Sequence, residues 1–126
     1  MKTFKFSMIL LVLIILSTIW YIHSLNNVSN QLVTEIDKLE DIIKTDNWDQ
    51  AEKQLDHIQE EWDKTEKWMA TLIDHEEIDS IRLTLARLSQ YIHYRKTPDF
   101  MAESASLKLL IKHLPEKERI SLGNLL

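Results

Sequence analysis

The residues of this sequence that could do chemistry are histidines beside carboxylates. His57 and Glu61 lie one helical turn apart, and His75 is followed by Glu76 and Asp79. Imidazole and carboxylate groups at such spacings can ligate a metal ion, as in a metal-dependent hydrolase. However, no H-E-x-x-H sequence occurs, and no His lies four residues from another His. We therefore interpret both groups as solvated helix surface, and we expect no metal site.

Other common catalytic arrangements have no counterpart in the sequence. It contains no cysteine, which excludes a thiol nucleophile, a disulfide framework and a zinc site built on thiolates. Its single glycine, Gly123, allows neither a nucleophile elbow nor a glycine-rich phosphate loop. The net charge of −5 and the lack of a recognised motif argue against nucleic acid as a partner. We predict that the protein is not an enzyme and uses no cofactor.

Glu103 is the polar residue that most needs an explanation, because the spacing places it on an apolar helical stripe. A buried carboxylate requires a partner or a shifted pKa. The neighbouring helices offer several basic candidates, namely His75, Arg82, His93 and Arg95. We predict a structural polar pair, with His75 and Glu103 as its candidate members. In an alternative rotation of the helix, Ala102 or Ala105 faces inward and Glu103 is in water.

The elements that carry these residues begin with an apolar segment. Residues 4–22 read FKFSMILLVLIILSTIWYI and include one charge, at Lys5. A helix of this length spans about 28 Å, close to the hydrocarbon thickness of a bilayer. We predict one membrane-spanning helix. Lys2 and Lys5 should keep its N-terminus in the cytoplasm, and Trp20 and Tyr21 should lie in the opposite headgroup layer.

The alternative for this segment is a cleaved signal peptide, which has a similar charged start and apolar core. Cleavage needs a small-x-small site, but Ile22, His23 and Ser24 place a branched side chain where a small one is required. The sequence therefore favours an uncleaved anchor over residues 1–23, followed by an extracytoplasmic helical domain over residues 24–126.

The rest of the chain carries apolar side chains every three or four residues, a spacing typical of helices. The clearest stripe consists of Trp48, Ala51, Leu55, Ile58, Trp62, Thr65, Met69 and Leu72. Trp68 falls just beside this stripe, so we expect it to be half exposed and available to a partner. Another stripe starts at Leu25, and without an intervening Gly or Pro it can continue the membrane helix.

Caps and prolines indicate where the helices begin and end. Asn47 and Asp74 are predicted N-caps, because each precedes a Gln or Glu by three residues. Pro98 should open a helix, and Pro115 should end that helix and open a short last one. Gly123 should close the chain with a positive φ. The predicted fold is all-α: an N-terminal transmembrane helix followed by an antiparallel bundle of about four helices.

The charges are divided along the chain. Residues 24–81 contain 16 acidic side chains and five lysines, whereas residues 82–126 contain eight basic and four acidic side chains. Either the two halves neutralise each other by antiparallel packing, or they form a surface that steers a charged partner. We favour neutralisation.

Several of these features together resemble an uncharacterised family of membrane-anchored helical proteins from Gram-positive, clostridial-type bacteria, the domain of unknown function 4363. The resemblance includes the leading apolar helix, the helix with Trp48 and Trp62, and the run DHEEID from Asp74. It also includes Glu103 ahead of Leu107 and the closing residues SL and NLL. It implies a bacterial, membrane-attached helical protein without an assigned activity or site.

We therefore expect a non-enzymatic accessory or protein-interaction module on the outer side of a bacterial cytoplasmic membrane. Its expected partners are the lipid bilayer and either another membrane protein or a second copy, with Trp68 as a candidate contact. The alternative is an extracytoplasmic ligand-sensing bundle that works with a separate membrane partner. In that case His75, Glu103, Arg82 and Arg95 would form a polar pocket.

Overall fold

Four helices joined by short corners form residues 1–125, the part of the chain that the computed structural model describes. The helices are α1 (Lys2–Lys44), α2 (Trp48–Met69), α3 (His75–His93) and α4 (Thr97–Leu125). No strand occurs among these residues. Each of α1 and α3 packs against both α2 and α4, so the helices form an antiparallel bundle. The predicted all-α fold is confirmed.

The core lies on the helical stripes that face the centre of this bundle. In α2, six of the eight predicted stripe residues are buried, including Trp62. Trp48 is half-buried, and Leu72 is exposed because α2 ends at Met69. Ile73, in the corner after α2, enters the core in place of Leu72.

α1 continues through the expected boundary between residues 23 and 24 without a break. From Leu25 onward, one side of the helix is buried in the core. Up to Trp20, by contrast, large apolar side chains are exposed on every side of the helix. By length and composition, this first part of α1 is compatible with crossing a membrane. A signal sequence can have the same length and composition.

Both predicted N-caps are present at the ends of the bundle. The Asn47 side chain accepts a hydrogen bond from the Gln50 amide at 3.2 Å, and its own amide donates to Gln50 Oε1 at 3.0 Å. Asp74 accepts from the Glu76 amide at 3.2 Å. These bonds satisfy N–H groups that have no partner inside the helix.

Pro115 does not end α4, and this prediction was wrong. The helix continues through Pro115 and through Gly123, which has no positive φ. Because proline has no N–H, the Ile111 carbonyl one turn earlier lacks its helical partner. Ser29 of α1 donates a hydrogen bond to that carbonyl at 2.9 Å in the buried interface. A neighbouring helix therefore supplies the donor that the proline lacks.

Candidate functional site

The structure does not bring the predicted pair of Glu103 and His75 together. Glu103 accepts a hydrogen bond from Arg87 Nη1 of α3 at 3.0 Å, and its side chain is partly buried. His75 begins α3 and is exposed. Glu103 therefore has a basic partner on α3, as a carboxylate at a helix contact requires. This partner is Arg87 and not the predicted His75.

The reason is a small rotation of α4 relative to the predicted stripe, which consists of Phe100, Glu103, Leu107, Leu110 and Leu114: Phe100, Leu107 and Leu114 are buried as predicted, whereas Glu103 and Leu110 are only partly buried. Between residues 97 and 120, its buried side chains are Phe100, Ser104, Leu107, Ile111, Leu114 and Pro115. Glu103 therefore lies at the edge of the contact with α3, while the Ser104 hydroxyl donates to Glu40 Oε1 at 2.8 Å. The alternative rotation is also wrong, because Ala102 and Ala105 are both exposed.

The polar pocket predicted for a ligand-sensing bundle does not form as expected. Arg82 of α3 is bound to the buried carboxylate of Glu66 in α2, with a 3.1 Å bond from Nε to Oε2 and a second bond from Nη2 to Oε1. Arg95 lies in the corner after α3, at the opposite end of that helix from His75. The predicted lining residues are therefore distributed over separate parts of the bundle.

Ion pairs join the basic second half of the chain to its acidic first half. Lys108 of α4 lies 3.0 Å from Asp37 Oδ1 and 2.9 Å from Glu40 Oε1, both in α1. Hydrogen bonds to Glu40 and then to Asp37 raise the pKa of Lys108. Lys117 lies 3.1 Å from Glu77 Oε1 of α3. These pairs favour our interpretation that the charge asymmetry serves mutual neutralisation.

A polar cluster between α1 and α2 was not anticipated from the sequence. Gln54 Nε2 donates to Glu35 Oε2 at 2.8 Å, and Lys38 Nζ donates to Glu35 Oε1 at 3.0 Å. These two bonds, the one from Gln54 first, lower the pKa of Glu35. The exposed His57 lies 3.8 Å from the same carboxylate. Within residues 1–125, no three His, Asp or Glu side chains are grouped to hold a metal ion.

A groove of about 540 Å³ runs between α3 and α4. The exposed Leu83 and Leu109 line it, together with the pair of Arg87 and Glu103. The groove therefore exposes apolar side chains next to polar groups, and protein interfaces likewise have an apolar core within a polar rim.

Trp68 lies at the end of the bundle that is nearest to the apolar part of α1. It is half exposed and packs edge-on against Tyr21, with ring centroids 5.9 Å apart. A cleft of about 390 Å³ next to this contact is lined by Ser17, Thr18, Trp20, Tyr21, Leu72 and Glu118. Burial, and then the nearby Glu77, raise the pKa of Glu118. The cleft therefore joins α1, the corner after α2 and the end of α4.

The comparisons with known proteins place the bundle in one family. A family model described as a domain of unknown function, DUF4363, matches residues 19–125. The match includes all of α2, α3 and α4, and it begins near the end of the apolar segment. No curated protein and no solved structure shows significant similarity to the chain. Because the match extends over most of the sequence, the chain belongs to the DUF4363 family.

Proposed function

We propose that this protein is a membrane-anchored, non-enzymatic accessory protein that presents its helical bundle as a protein-interaction module outside the cytoplasm. The observation that carries the proposal is the first part of α1, whose large apolar side chains are exposed on all sides up to Trp20. A continuous apolar surface of this kind is unfavourable in water, and a bilayer covers it fully.

The flanking residues support an orientation. Lys2 and Lys5 are the only charged side chains before Glu35, and cations next to a membrane helix favour the cytoplasmic side. Trp20 and Tyr21 lie at the other end of the apolar segment, where amphipathic rings favour the headgroup layer. With the N-terminus inside, the bundle of a bacterial protein of this kind lies on the outer side of the cytoplasmic membrane.

The role of the polar side chains supports a non-enzymatic module. The partly buried carboxylates of Glu35 and Glu40 and the buried carboxylate of Glu66 each accept a hydrogen bond from a side chain of a neighbouring helix. Such bonds hold helices in register and leave these groups satisfied. The groove with Leu83 and Leu109 is available for another membrane protein or a second copy of the chain.

The anchor and its orientation can be tested by labelling single cysteines, since the natural sequence has none. Lys53→Cys lies on the exposed side of α2, and Thr3→Cys lies at the start of α1. In intact cells, a membrane-impermeant maleimide should label the first variant and leave the second unlabelled until the cells are permeabilised. The opposite pattern would overturn the orientation. Extraction of the protein by alkaline carbonate would overturn the anchor.

The interaction role can be tested by crosslinking in the native membrane. A photoreactive maleimide at Leu109→Cys, in the groove between α3 and α4, should give one discrete adduct. The same reagent at Lys53→Cys is the control and should give none. If both positions give the same diffuse products, the groove is not a contact surface and the proposed module loses its support.

A further inference from the structure

The antiparallel register of the helices sets the height of one end of the bundle relative to the apolar segment. Along α4, the Ser104 hydroxyl donates to Glu40 of α1, and one further stretch of α4 brings the Ile111 carbonyl to Ser29 of α1. Seven residues after Ile111, Glu118 shares a cleft with Tyr21 and residues 17–18 of α1. The end of α4 and the corner after α2 therefore reach the level of the last turns of the apolar segment.

Exposed apolar side chains are present at this level on three different elements. They form a group that we call the apolar collar: Trp20 (68% exposed), Trp68 (40%), Leu72 (60%) and Ile120 (67%). Trp68 and Leu72 come from the end of α2 and the corner after it, and Ile120 comes from α4. Trp68 packs against Tyr21, Leu72 lines the same cleft as Trp20, and Ile120 follows Glu118 of that cleft by two residues. The collar therefore lies next to the position where α1 leaves the bundle.

We propose that the apolar collar inserts into the outer headgroup layer of the same bilayer that α1 crosses, so that the bundle lies directly against the membrane. This inference rests on the proposed function. Tryptophan and large apolar side chains are favourable in this layer, where the ring or chain is shielded and polar groups stay hydrated. The exposed Arg119, next to Ile120, lies where a cation can approach lipid phosphates.

The bilayer is the occupant that the structure favours over a second copy of the chain. α1 is one unbroken helix, so no linker separates the collar from the apolar segment. Once residues 4–22 are in the membrane, the headgroup layer already occupies the space next to the collar. A protein partner would have to displace these lipids.

The test uses the full-length chain in phosphatidylcholine vesicles, with a fluorescent probe on one cysteine. Leu72→Cys places the probe on the collar. Tyr94→Cys is the matched control, because Leu72 and Tyr94 are exposed to a similar extent and Tyr94 lies outside the groove between α3 and α4. Tyr94 follows the far end of α3, about 28 Å from the start of that helix. Leu13→Cys reports on the anchor itself. Circular dichroism verifies that each variant has the helical content of the natural chain.

A nitroxide on the lipid headgroup should quench the probe at Leu72 about twofold more than the probe at Tyr94. A nitroxide in the middle of the acyl chain should quench the probe at Leu13. Equal quenching at Leu72 and Tyr94, with quenching at Leu13 retained, would overturn the collar and leave the anchor intact. Loss of quenching at Leu13 would overturn the proposed function and the collar together. If quenching of the probe at Leu72 decreases as the protein concentration rises, a second copy of the chain covers the collar. This result also overturns the proposal.

Discussion

At the residue scale, the bond from Ser29 to the Ile111 carbonyl links α1 to α4 where Pro115 interrupts the hydrogen bonding of α4. Ser29 lies on the buried side of α1, between apolar residues of the core stripe. A hydroxyl there would cost stability without a partner, and the free carbonyl would do the same. Each of the two groups therefore satisfies the other.

We expect Ser29→Ala to lower the free energy of unfolding by about 1–2 kcal/mol, because it leaves the buried Ile111 carbonyl without a donor. In a Pro115→Ala background the same substitution should cost much less, since the alanine N–H can bond to that carbonyl. Denaturant unfolding in detergent micelles measures both values. Ser106→Ala removes an exposed hydroxyl and is the control. An equal cost for Ser29→Ala in both backgrounds would contradict this account.

The Glu35 cluster predicts a defined dependence of stability on pH. Because hydrogen bonds from Gln54 and Lys38 lower the pKa of Glu35 below 4.5 in the folded state, ionised Glu35 stabilises the bundle. This contribution is complete above the pKa of the unfolded chain and is lost as the pH falls through the lowered folded pKa. We expect Glu35→Gln to lower the free energy of unfolding by about 1 kcal/mol at neutral pH, and by progressively less below about pH 4.5.

Unfolding midpoints of Glu35→Gln and of the natural chain, measured between neutral and acidic pH, test this expectation. The exposed Glu60→Gln is the control and should show no such convergence at low pH. A constant difference in unfolding midpoint between Glu35→Gln and the natural chain across this pH range would show that the carboxylate charge does not contribute to stability.

The residue at which sequence analysis failed most clearly is Glu103. A stripe through Phe100, Glu103 and Leu107 and a stripe through Phe100, Ser104 and Leu107 both have helical spacing, and the residue types do not discriminate between them. The choice depends on Glu40 in α1, which accepts the Ser104 hydroxyl, and on Arg87 in α3, which pairs with Glu103. Contacts between distant segments decided the rotation of this helix.

At the scale of the elements, α2 and α3 were the most predictable, because each has a regular apolar stripe and a capping side chain. In α3 the apolar residues at helical spacing are all buried, namely Ile78, Ile81, Leu85, Leu88 and Ile92. The continuity of α4 through Pro115 could not be predicted, since the compensating donor Ser29 lies 82 residues earlier in the chain. A proline rule that considers one helix alone misses such a donor.

The corner between α3 and α4 predicts a stabilising substitution. Arg95 has φ 54°, a conformation that is unfavourable for residues with a Cβ. The Lys96 amide donates to the Tyr91 carbonyl at 2.8 Å across this residue, as in a glycine-type helix end. Arg95→Gly should therefore raise the free energy of unfolding by up to about 1 kcal/mol. Lys96 has no positive φ and is the control, so Lys96→Gly should lower the free energy of unfolding. A decrease for Arg95→Gly together with an increase for Lys96→Gly would contradict the argument.

At the scale of the whole molecule, the bundle should fold without the apolar segment. The buried core of α1 begins at Leu25, and only half-buried side chains such as Tyr21 contribute before it. We expect residues 24–126 to form a helical domain with cooperative thermal unfolding, measured by circular dichroism at micromolar concentration. Leu88→Ala should destabilise this fragment by about 2–5 kcal/mol if its core is well packed. An unfolded fragment would mean that the membrane or a partner completes the core.

The composition and the stripes sufficed to predict a long apolar N-terminal helix followed by a helical bundle, but they did not give the position of the bundle relative to the apolar segment. That position depends on the continuity of α1 and on the register between α1 and α4. The absence of Gly and Pro from the segment around Leu25 already indicated the continuity of α1. The register, by contrast, arises from packing between segments far apart in the sequence, so no local pattern reports it.

The most direct measurement of the central claim is the mass of the mature protein in fractionated cells. If residues 1–23 are a permanent anchor, the chain that includes them should be recovered from the membrane pellet after alkaline carbonate treatment. A product that begins near Leu25 and is found free in the culture medium would contradict both the anchor and the proposed function.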